Sequence, residues 1–422
     1  MAVHNAARAC GIDFGTSNST VGWLCSDRPT LLPLEDGKIT LPSVVFFNYE
    51  EDHSVFGRHA LQEYIEGYEG RLMRSLKSLL GSSLIDSQTE VQGKALPFRH
   101  LLTLFIQELK QRADRAANRS FSEVVLGRPV FFVDDNPKAD QLAEDTLAEV
   151  ARQIGFKEVS FQYEPIAAAF DYESGIEREE LVLIVDIGGG TSDFSLVRLS
   201  PQRHMLDQRH DDILANGGVH IGGTDFDKQL SLHGVMPLFG FKSRLRNNAE
   251  MPSGQYFNLA TWHTINFAYT RKAWMELQDI YRDVTEPKVM DRLFKLIQER
   301  AGHWLAMQVE AGKIELSDQP HCQLDLGMIE ANLTAELSRE AFNHSIDHLL
   351  TQIGKTLQGL LAEAGVQAGQ IDTVFFTGGS SGVPALRQSI RALLPQARHV
   401  EGNLFGSIGS GLAIEARKRY GY

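Results

Sequence analysis

Two short stretches of this chain carry residue types suited to holding a phosphate chain and a divalent cation. Gly11-Ile12-Asp13-Phe14-Gly15-Thr16-Ser17-Asn18 lies near the start. Val185-Asp186-Ile187-Gly188-Gly189-Gly190-Thr191-Ser192-Asp193 repeats its plan with more glycine. Each reads as an apolar strand that delivers an Asp, then a glycine turn, then a hydroxyl, then more strand. An Asp at a strand end takes magnesium through water, because Mg²⁺ dehydrates reluctantly. Glycines let backbone N–H groups come close to phosphate oxygens, and Thr or Ser adds donors without bulk. Asp13 and Asp186 are the expected metal carriers, and Gly15, Thr16, Ser17, Asn18, Gly188, Gly189, Gly190 and Thr191 the expected phosphate donors. One Asp-x-Gly-Thr alone is commonly just a turn. Two copies in one chain imply duplicated lobes gripping a single nucleotide.

Composition sets the frame for those residues. A chain of 422 residues implies two or three domains, at roughly one per 150 residues. The 43% hydrophobic and 23% charged residues are those of a soluble globular protein. A net charge of −13 opposes binding to a nucleic-acid backbone. Cys10, Cys25 and Cys322 are scattered and odd in number. They make neither a disulfide framework nor a CxxC metal pattern, which implies a reducing compartment. Residues 1–9 hold no apolar secretory segment, and no apolar run approaches the roughly 18 residues of a membrane span. A cytoplasmic location without membrane contact is expected.

The elements that must position the two turns are legible in outline. Strands are expected from Ala9 through Gly15 to Leu24, around Thr30 to Leu34, and over Leu41 to Phe47. Residues 57–120 read as largely helical, with Leu101, Leu102, Phe105, Ile106 and Leu109 on one face. Val124 to Phe132 returns to strand. Asn136-Pro137 then offers an N-cap and a first-turn proline to a helix whose Leu142, Leu147, Val150, Ala151 and Ile154 share a face, with Gly155 as its stop. An Ala-rich helix follows Glu164-Pro165. After the second hairpin come a loop at Gly217 to Gly223, helices, and a long apolar stripe from Phe342 to Leu361. A last strand, Thr373 to Phe376, empties into Thr377-Gly378-Gly379-Ser380-Ser381, and two helices over about 384–394 and 406–419 end the chain. The same order of elements thus occurs twice, which predicts an α/β clamp with its ligand between the halves.

These motifs, in this order, resemble the actin-like ATPases, and within them the nucleotide-binding domain of the DnaK-type, seventy-kilodalton heat-shock proteins. Lys77-Ser78-Leu79-Leu80-Gly81 is similar to the family's Lys-x-x-x-Gly segment, and Tyr163-Glu164-Pro165-Ile166-Ala167-Ala168-Ala169 to its Asn-Glu-Pro connector. His220-Ile221-Gly222-Gly223-Thr224-Asp225-Phe226-Asp227 matches its His-Leu-Gly-Gly-Glu-Asp-Phe-Asp segment. Glu310-Ala311-Gly312-Lys313-Ile314-Glu315-Leu316-Ser317 falls on its adenosine helix, and Gly378-Gly379-Ser380 on its adenosine loop. The resemblance covers nearly the whole chain except about 234–300, and the short YegD-like branch looks like a close relative.

The resemblance implies an α/β, actin-like ATPase fold: two duplicated lobes, each a mixed sheet with flanking helices, around a central nucleotide cleft. Lobe I would take 1–180 plus 401–422, with an inserted subdomain at about 36–115. Lobe II would take 181–400, with a helical insertion at about 228–310. No C-terminal peptide-binding domain is expected. Lys77, Glu164, Asp193 and Thr191 would form the catalytic set: Lys77 placing charge on the attacking water, Glu164 and Asp193 orienting that water or accepting its proton. Phosphoryl transfer needs little beyond such positioning and neutralisation. Gly222, Gly223, Thr224, Glu310, Lys313, Ile314, Ser317, Gly378, Gly379 and Ser380 would meet the nucleotide. The implied cofactors are ATP or ADP with Mg²⁺, and the implied activity is slow ATP hydrolysis coupled to a protein partner or client.

Plainer readings stand beside these. Lys77 would ordinarily be a solvated charge on a helix, Glu164 a simple helix cap, and Glu310, Lys313 and Ser317 a polar face at spacings of three and four. Two departures count: the expected lack of a peptide-binding domain, and the residues beside adenine. Ile314 and Gly382 replace arginines that stack on adenine in the family, which predicts weaker or relaxed base recognition. The unmatched stretch is rich in aromatics, including Phe239, Phe241, Tyr256, Phe257, Trp262, Phe267, Tyr269, Trp274 and Tyr281. These build either the core of an enlarged subdomain or a docking patch. A metabolite or sugar kinase of the same superfamily, or a non-catalytic nucleotide-binding relative, remains an alternative; a filament-forming relative fits the motifs at 217–227 and 310–317 less well.

Overall fold

The computed structural model describes residues 8–25, 28–82, 84–133, 136–204, 210–402 and 406–421; most of the N-terminal stretch read above as free of a signal lies outside them. The chain divides into two compact units. The first comprises Met1–His220, Ile353–Ser381 and Ser389–Tyr422, and the second Ile221–Gln352 and Gly382–Gln388.

The first unit opens with the hairpin β1 (Ala9–Phe14) and β2 (Asn18–Cys25), followed by β3 (Arg28–Leu31) and β4 (Thr40–Pro42). A small sheet follows: β5 (Val44–Asn48), β6 (His53–Phe56), helix α1 (Gly57–Glu66) and β7 (Gly70–Arg74). Then come the hairpin β8 (Gln88–Val91) and β9 (Lys94–Pro97), helix α2 (Phe98–Ala117), β10 (Glu123–Arg128), α3 (Pro137–Gln153), β11 (Glu158–Tyr163) and α4 (Glu164–Glu173). The second hairpin is β12 (Glu180–Ile187) and β13 (Ser192–Leu199), followed by the single turn α5 (Pro201–His204) and β14 (Ile213–Val219).

The second unit is mainly helical: α6 (Gly223–Leu230), α7 (Gly254–Ala260), α8 (Arg271–Tyr281), α9 (Pro287–Gln298) and α10 (Gly302–Asp318). The hairpin β15 (His321–Asp325) and β16 (Thr334–Ser338) packs its Leu324 and Leu337 against Gly312 of α10. Helix α11 (Arg339–Glu363) buries the whole expected stripe, Phe342, Ile346, Leu349, Leu350, Ile353, Leu357, Leu360 and Leu361. The chain closes with β17 (Thr373–Thr377), α12 (Pro384–Leu393), β18 (Arg398–Glu401) and α13 (Ser407–Tyr420).

Two large sheets share one plan. The six-stranded sheet runs β11-β10-β1-β2-β3, with β4 also on β2, and the five-stranded sheet runs β18-β17-β12-β13-β14. In each, a central strand pairs antiparallel with its hairpin partner on one side and parallel on the other. The duplication read from the two hairpins therefore extends to every neighbouring strand. The run Leu181-Val182-Leu183-Ile184-Val185 is apolar throughout because β12 is covered on both faces.

Several sequence expectations need correction. The stretch 57–120 is helical in α1 and α2, but β7, β8 and β9 interrupt it; their short runs are stabilised by pairing, which a helical periodicity test does not register. Leu142 is 48% exposed. The buried face of α3 is Ala143, Thr146, Leu147, Val150 and Ala151, one residue and hence about 100° away. Residues 217–219 belong to β14 rather than a loop, the third strand ends at Leu31, and β18 follows the strand expected to be last. The N-cap at Asn136 is as read, its side chain accepting from Ala139 N–H at 3.2 Å.

What locks the first hairpin is backbone-to-backbone contact with α13. A Cβ on Gly411 would collide with the carbonyl oxygen of Ala167 in α4, and one on Gly11 of β1 would collide with the backbone of Leu412. Replacing Gly411 by Ala must push α13 off α4, so it is expected to destabilise the protein by about 1–3 kcal/mol, an overpacking cost. A drop in the urea midpoint at unchanged slope checks this.

Candidate functional site

Both glycine turns lie in the first unit, and they meet there. In the first hairpin Asp13 sits opposite Thr20, and in the second Asp186 sits opposite Asp193. The turns between the paired strands are half-buried, whereas Asp186 and Asp193 are buried. A Cβ on Gly189 would strike Ser17 Oγ, and one on Gly190 would lie 3.8 Å from Thr16 Cγ2 and 3.9 Å from its Oγ1. The second turn is closed by a bond from Gly188 N–H to Thr191 O at 3.0 Å. Gly15, Thr16, Ser17, Gly188, Gly189, Gly190 and Thr191 thus form one surface of backbone and hydroxyl groups, and Asn18 begins β2 at its edge.

Beneath that surface is a cluster of charge. Lys77 stands on a short 3-10 turn, Leu76–Leu79, which follows β7 through Ser75 in the left-handed region at φ 59°. Lys77 is buried, and its Nζ donates to Glu164 Oε1, itself buried at the first position of α4. Gly127 of β10 leaves room for Glu164, whose Cγ would be 3.1 Å from any Cβ there. The plain readings of a solvated lysine and a mere cap therefore do not hold. Burial works against the Lys77 ammonium, but attraction from Glu164, Asp13 and Asp193 outweighs it and raises its pKa.

The carboxylates show the opposite strain. Burial, then repulsion from Glu164, pushes the Asp13 carboxyl up to about 7, with Lys77 pulling the other way. Asp186 is driven well above the usual carboxylate range by burial and by Glu164, Asp193 and Asp13. One ammonium is thus set among four carboxyl groups, and the cluster is short of positive charge.

Magnesium fits this donor set. Among the described residues no group of three or more His, Cys, Asp or Glu side chains is placed to chelate a metal directly. Asp13 and Asp186 would fit a cation that they reach through its own waters, the arrangement Mg²⁺ favours. Two buried hydroxyls, Thr20 Oγ1 and Thr377 Oγ1, have no hydrogen-bond partner; their residues are the strand neighbours of Asp13 and Asp186 respectively, and Thr20 Oγ1 faces Gly409 of α13. Such groups are normally paired or hydrated.

Gly378 belongs to the same place. It takes φ +79°, and a Cβ on it would run into Asp186 Oδ1 and Ile187 O. The left-handed turn and the tight fit both require glycine here. Gly379 and Ser380 follow in a 3-10 turn, Gly379–Gly382, tied back by Ser381 Oγ to Gly378 O at 2.7 Å.

The second unit holds the other predicted positions. Gly222 caps α6, its N–H donating to Asp225 Oδ2 at 3.0 Å, and Gly223 and Thr224 open the helix. On α10, Lys313 is buried, with Nζ 2.8 Å from Asp227 Oδ1 and 3.3 Å from Gly223 O. Its charge ties α10 to α6. Ser317 Oγ donates back to Lys313 O at 3.3 Å, Glu310 is half-buried, and Ile314 is 59% exposed. Three of the nine named aromatics, Phe239, Phe241 and Tyr256, are core residues. Tyr256 is fully buried and bonds Phe239 O at 3.0 Å, Phe241 is buried, and Trp274 packs edge-on against Phe294 at 4.8 Å. Trp262, Tyr269 and Tyr281 are half-buried, whereas Phe257 and Phe267 are exposed.

The raised Asp13 pKa has a sign. Between the unfolded carboxyl value near 3.8 and about 7, the folded protein binds the proton more strongly, so stability falls as pH rises through that window. Asp13→Asn should remove this slope. In nucleotide-free protein its melting temperature is expected to exceed that of wild type at pH 8 and to converge toward it at pH 5, as read by scanning calorimetry.

A family profile described as "Hsp70 protein" matches residues 9–103, 89–246 and 293–417. The span left unmatched between the last two segments, 247–292, falls inside the aromatic-rich stretch of about 234–300 that the resemblance did not cover. Both hairpins, Lys77, Glu164, the Gly222-Gly223 cap, α10 and the Gly378 turn all lie within matched segments. With matches over the greater part of its length, on a duplicated α/β fold whose two glycine turns meet above a buried lysine, the chain belongs to the Hsp70 family.

Proposed function

We propose that this protein binds Mg-ATP through the paired glycine turns and hydrolyses it slowly, as a regulatory ATPase whose nucleotide state sets its affinity for a protein partner. Family membership suggests ATP binding and chaperone-like function; slow hydrolysis with magnesium, a protein partner or client and a cytoplasmic location complete the reading. The observation that carries the reading is the buried Lys77–Glu164 pair coupled to Asp13 and Asp186, the aspartates of the two hairpins whose turns meet. No helix among the described residues is long and apolar enough to cross a membrane, and Cys10, Cys25 and Cys322 are free thiols, which supports a reducing compartment.

Each residue has a task that its environment suits. Gly15, Thr16, Ser17, Gly188, Gly189, Gly190 and Thr191 would donate to the β- and γ-phosphate oxygens. Asp13 and Asp186 would hold magnesium through its water shell, and the ion when bound would neutralise phosphate charge and relieve the carboxylate repulsion. Lys77 would offer its ammonium to the attacking water and the transferred group. Glu164 keeps Lys77 in place, and with Asp193 would orient the water or take its proton. Chemistry of this kind is positioning and charge neutralisation. Base recognition is expected to be loose, since Ile314 and Gly382 offer no cationic plane to stack on adenine.

Calorimetric titration with ATP, ADP, GTP and AMP, with and without magnesium, tests binding; wild type that ignores ATP in the presence of Mg²⁺ sinks the reading. Lys77→Ala is expected to slow phosphate release by about 10²-fold, the usual size of losing one preorganised charge donor, while ATP still binds. Hydrolysis unchanged in that variant removes Lys77 from the chemistry. Ile314→Arg is expected to tighten ATP binding about fivefold, as about 1 kcal/mol of cation–π stacking predicts, and to leave a variant with no gain as evidence against adenine at that helix.

A further inference from the structure

Ser43 has no part in the chemistry above, yet it is fully buried at the joint between two sheets. It separates β4, which pairs with β2 of the six-stranded sheet, from β5, the centre strand of the β6-β5-β7 sheet. Its Oγ donates to Gly15 O at 2.7 Å, and its N–H donates to Ser17 O at 2.9 Å. Ser19 Oγ, also fully buried, lies 3.0 Å from Ser43 Oγ. A hydroxyl has one proton. With that of Ser43 committed to Gly15, Ser19 is the donor in the remaining contact.

These bonds fix the orientation of peptide groups in the first turn. In a planar trans peptide the C=O and the following N–H point in opposite directions. Turning Gly15 C=O onto Ser43 therefore aims Thr16 N–H the other way, out of the joint and off the buried side. The same junction leads to the lysine. Val44, the residue after Ser43, pairs with Arg74 at the end of β7, and the left-handed Ser75 then hands the chain to the turn that carries Lys77.

We propose that Ser43 is a positioning residue that holds the first phosphate turn in its donor orientation and in register with Lys77. The inference rests on the nucleotide reading above and names a residue outside its binding set.

The test compares Ser43→Ala, Ser43→Cys and Ser19→Ala with wild type, measuring ADP affinity with Mg²⁺ by calorimetry, adenosine affinity by competition against labelled ADP, and nucleotide-free melting. Losing one hydrogen bond that orients a donor predicts ADP binding about tenfold weaker in Ser43→Ala, with adenosine affinity unchanged because adenosine has no phosphate to meet the turn. Ser19→Ala should stay within about twofold of wild type, since the bond to Gly15 survives in it. Ser43→Cys keeps the shape with a weak donor and should fall between them; if the Ala variant does not fold, the Cys variant carries the comparison on the same criteria. Folded Ser43→Ala or Ser43→Cys with wild-type ADP affinity overturns the inference, as does an equal loss for ADP and adenosine, which marks general loosening. Wild type that binds neither ligand overturns the functional reading itself, and this inference with it.

Discussion

A single ammonium group buried among carboxylates is the constraint around which the first unit is built. Removing Lys77 or Glu164 from water costs each several kcal/mol, and their mutual attraction offsets this only when geometry and further bonds are favourable. Burial of such a pair is therefore weak evidence that it exists for stability. Here the surroundings make stability a still poorer explanation. Asp13 and Asp186 are both raised by burial and by like charge, so in the nucleotide-free protein the cluster lowers its repulsion by holding protons more tightly than free carboxyls do. Perturbed groups of this kind gather at functional sites.

The rest of the first unit brings that cluster together from distant parts of the sequence. Asp13 and Asp186 end the central strands of sheets with matching pairing patterns, so duplication supplies two equivalent aspartates. Lys77 comes from the small sheet, through β7 and the left-handed Ser75. Glu164 comes from the N-terminus of α4, which α13 approaches so closely that Gly411 has no room for a Cβ. Helix α13 thus touches both the hairpin that carries Asp13 and the helix that carries Glu164. Small errors at that contact would be felt at the site, because closely packed interiors have few gaps in which to absorb them.

The second unit obeys a different logic. Part of its aromatic stretch is core, built from Phe239, Phe241 and Tyr256, while half-buried Trp274 packs edge-on against Phe294. Lys313, which the family resemblance implies as a nucleotide contact, is engaged by Asp227 and by a carbonyl of α6. Sequence spacing placed it on the same helix face as Glu310 and Ser317, but spacing carries no information about what lies across from a face. The neighbouring helix supplied the carboxylate.

Sequence alone was enough to show the duplicated strand-turn-strand devices, the apolar stripes of α2 and α11, the Asn136 cap and the family, because each is written in local order and period. Asp13, Asp186 and the glycines could be named because their types and short spacing are themselves the chemistry. The tertiary structure decided what local pattern cannot hold. It showed that Lys77 is buried against Glu164 rather than solvated, that Gly378 is required by Asp186 beside it, that Leu142 faces outward, and that Ser43 fastens the first turn. Those facts depend on groups brought together by pairing and packing across long separations, where a hydrogen bond or a close approach leaves no periodic trace in the chain.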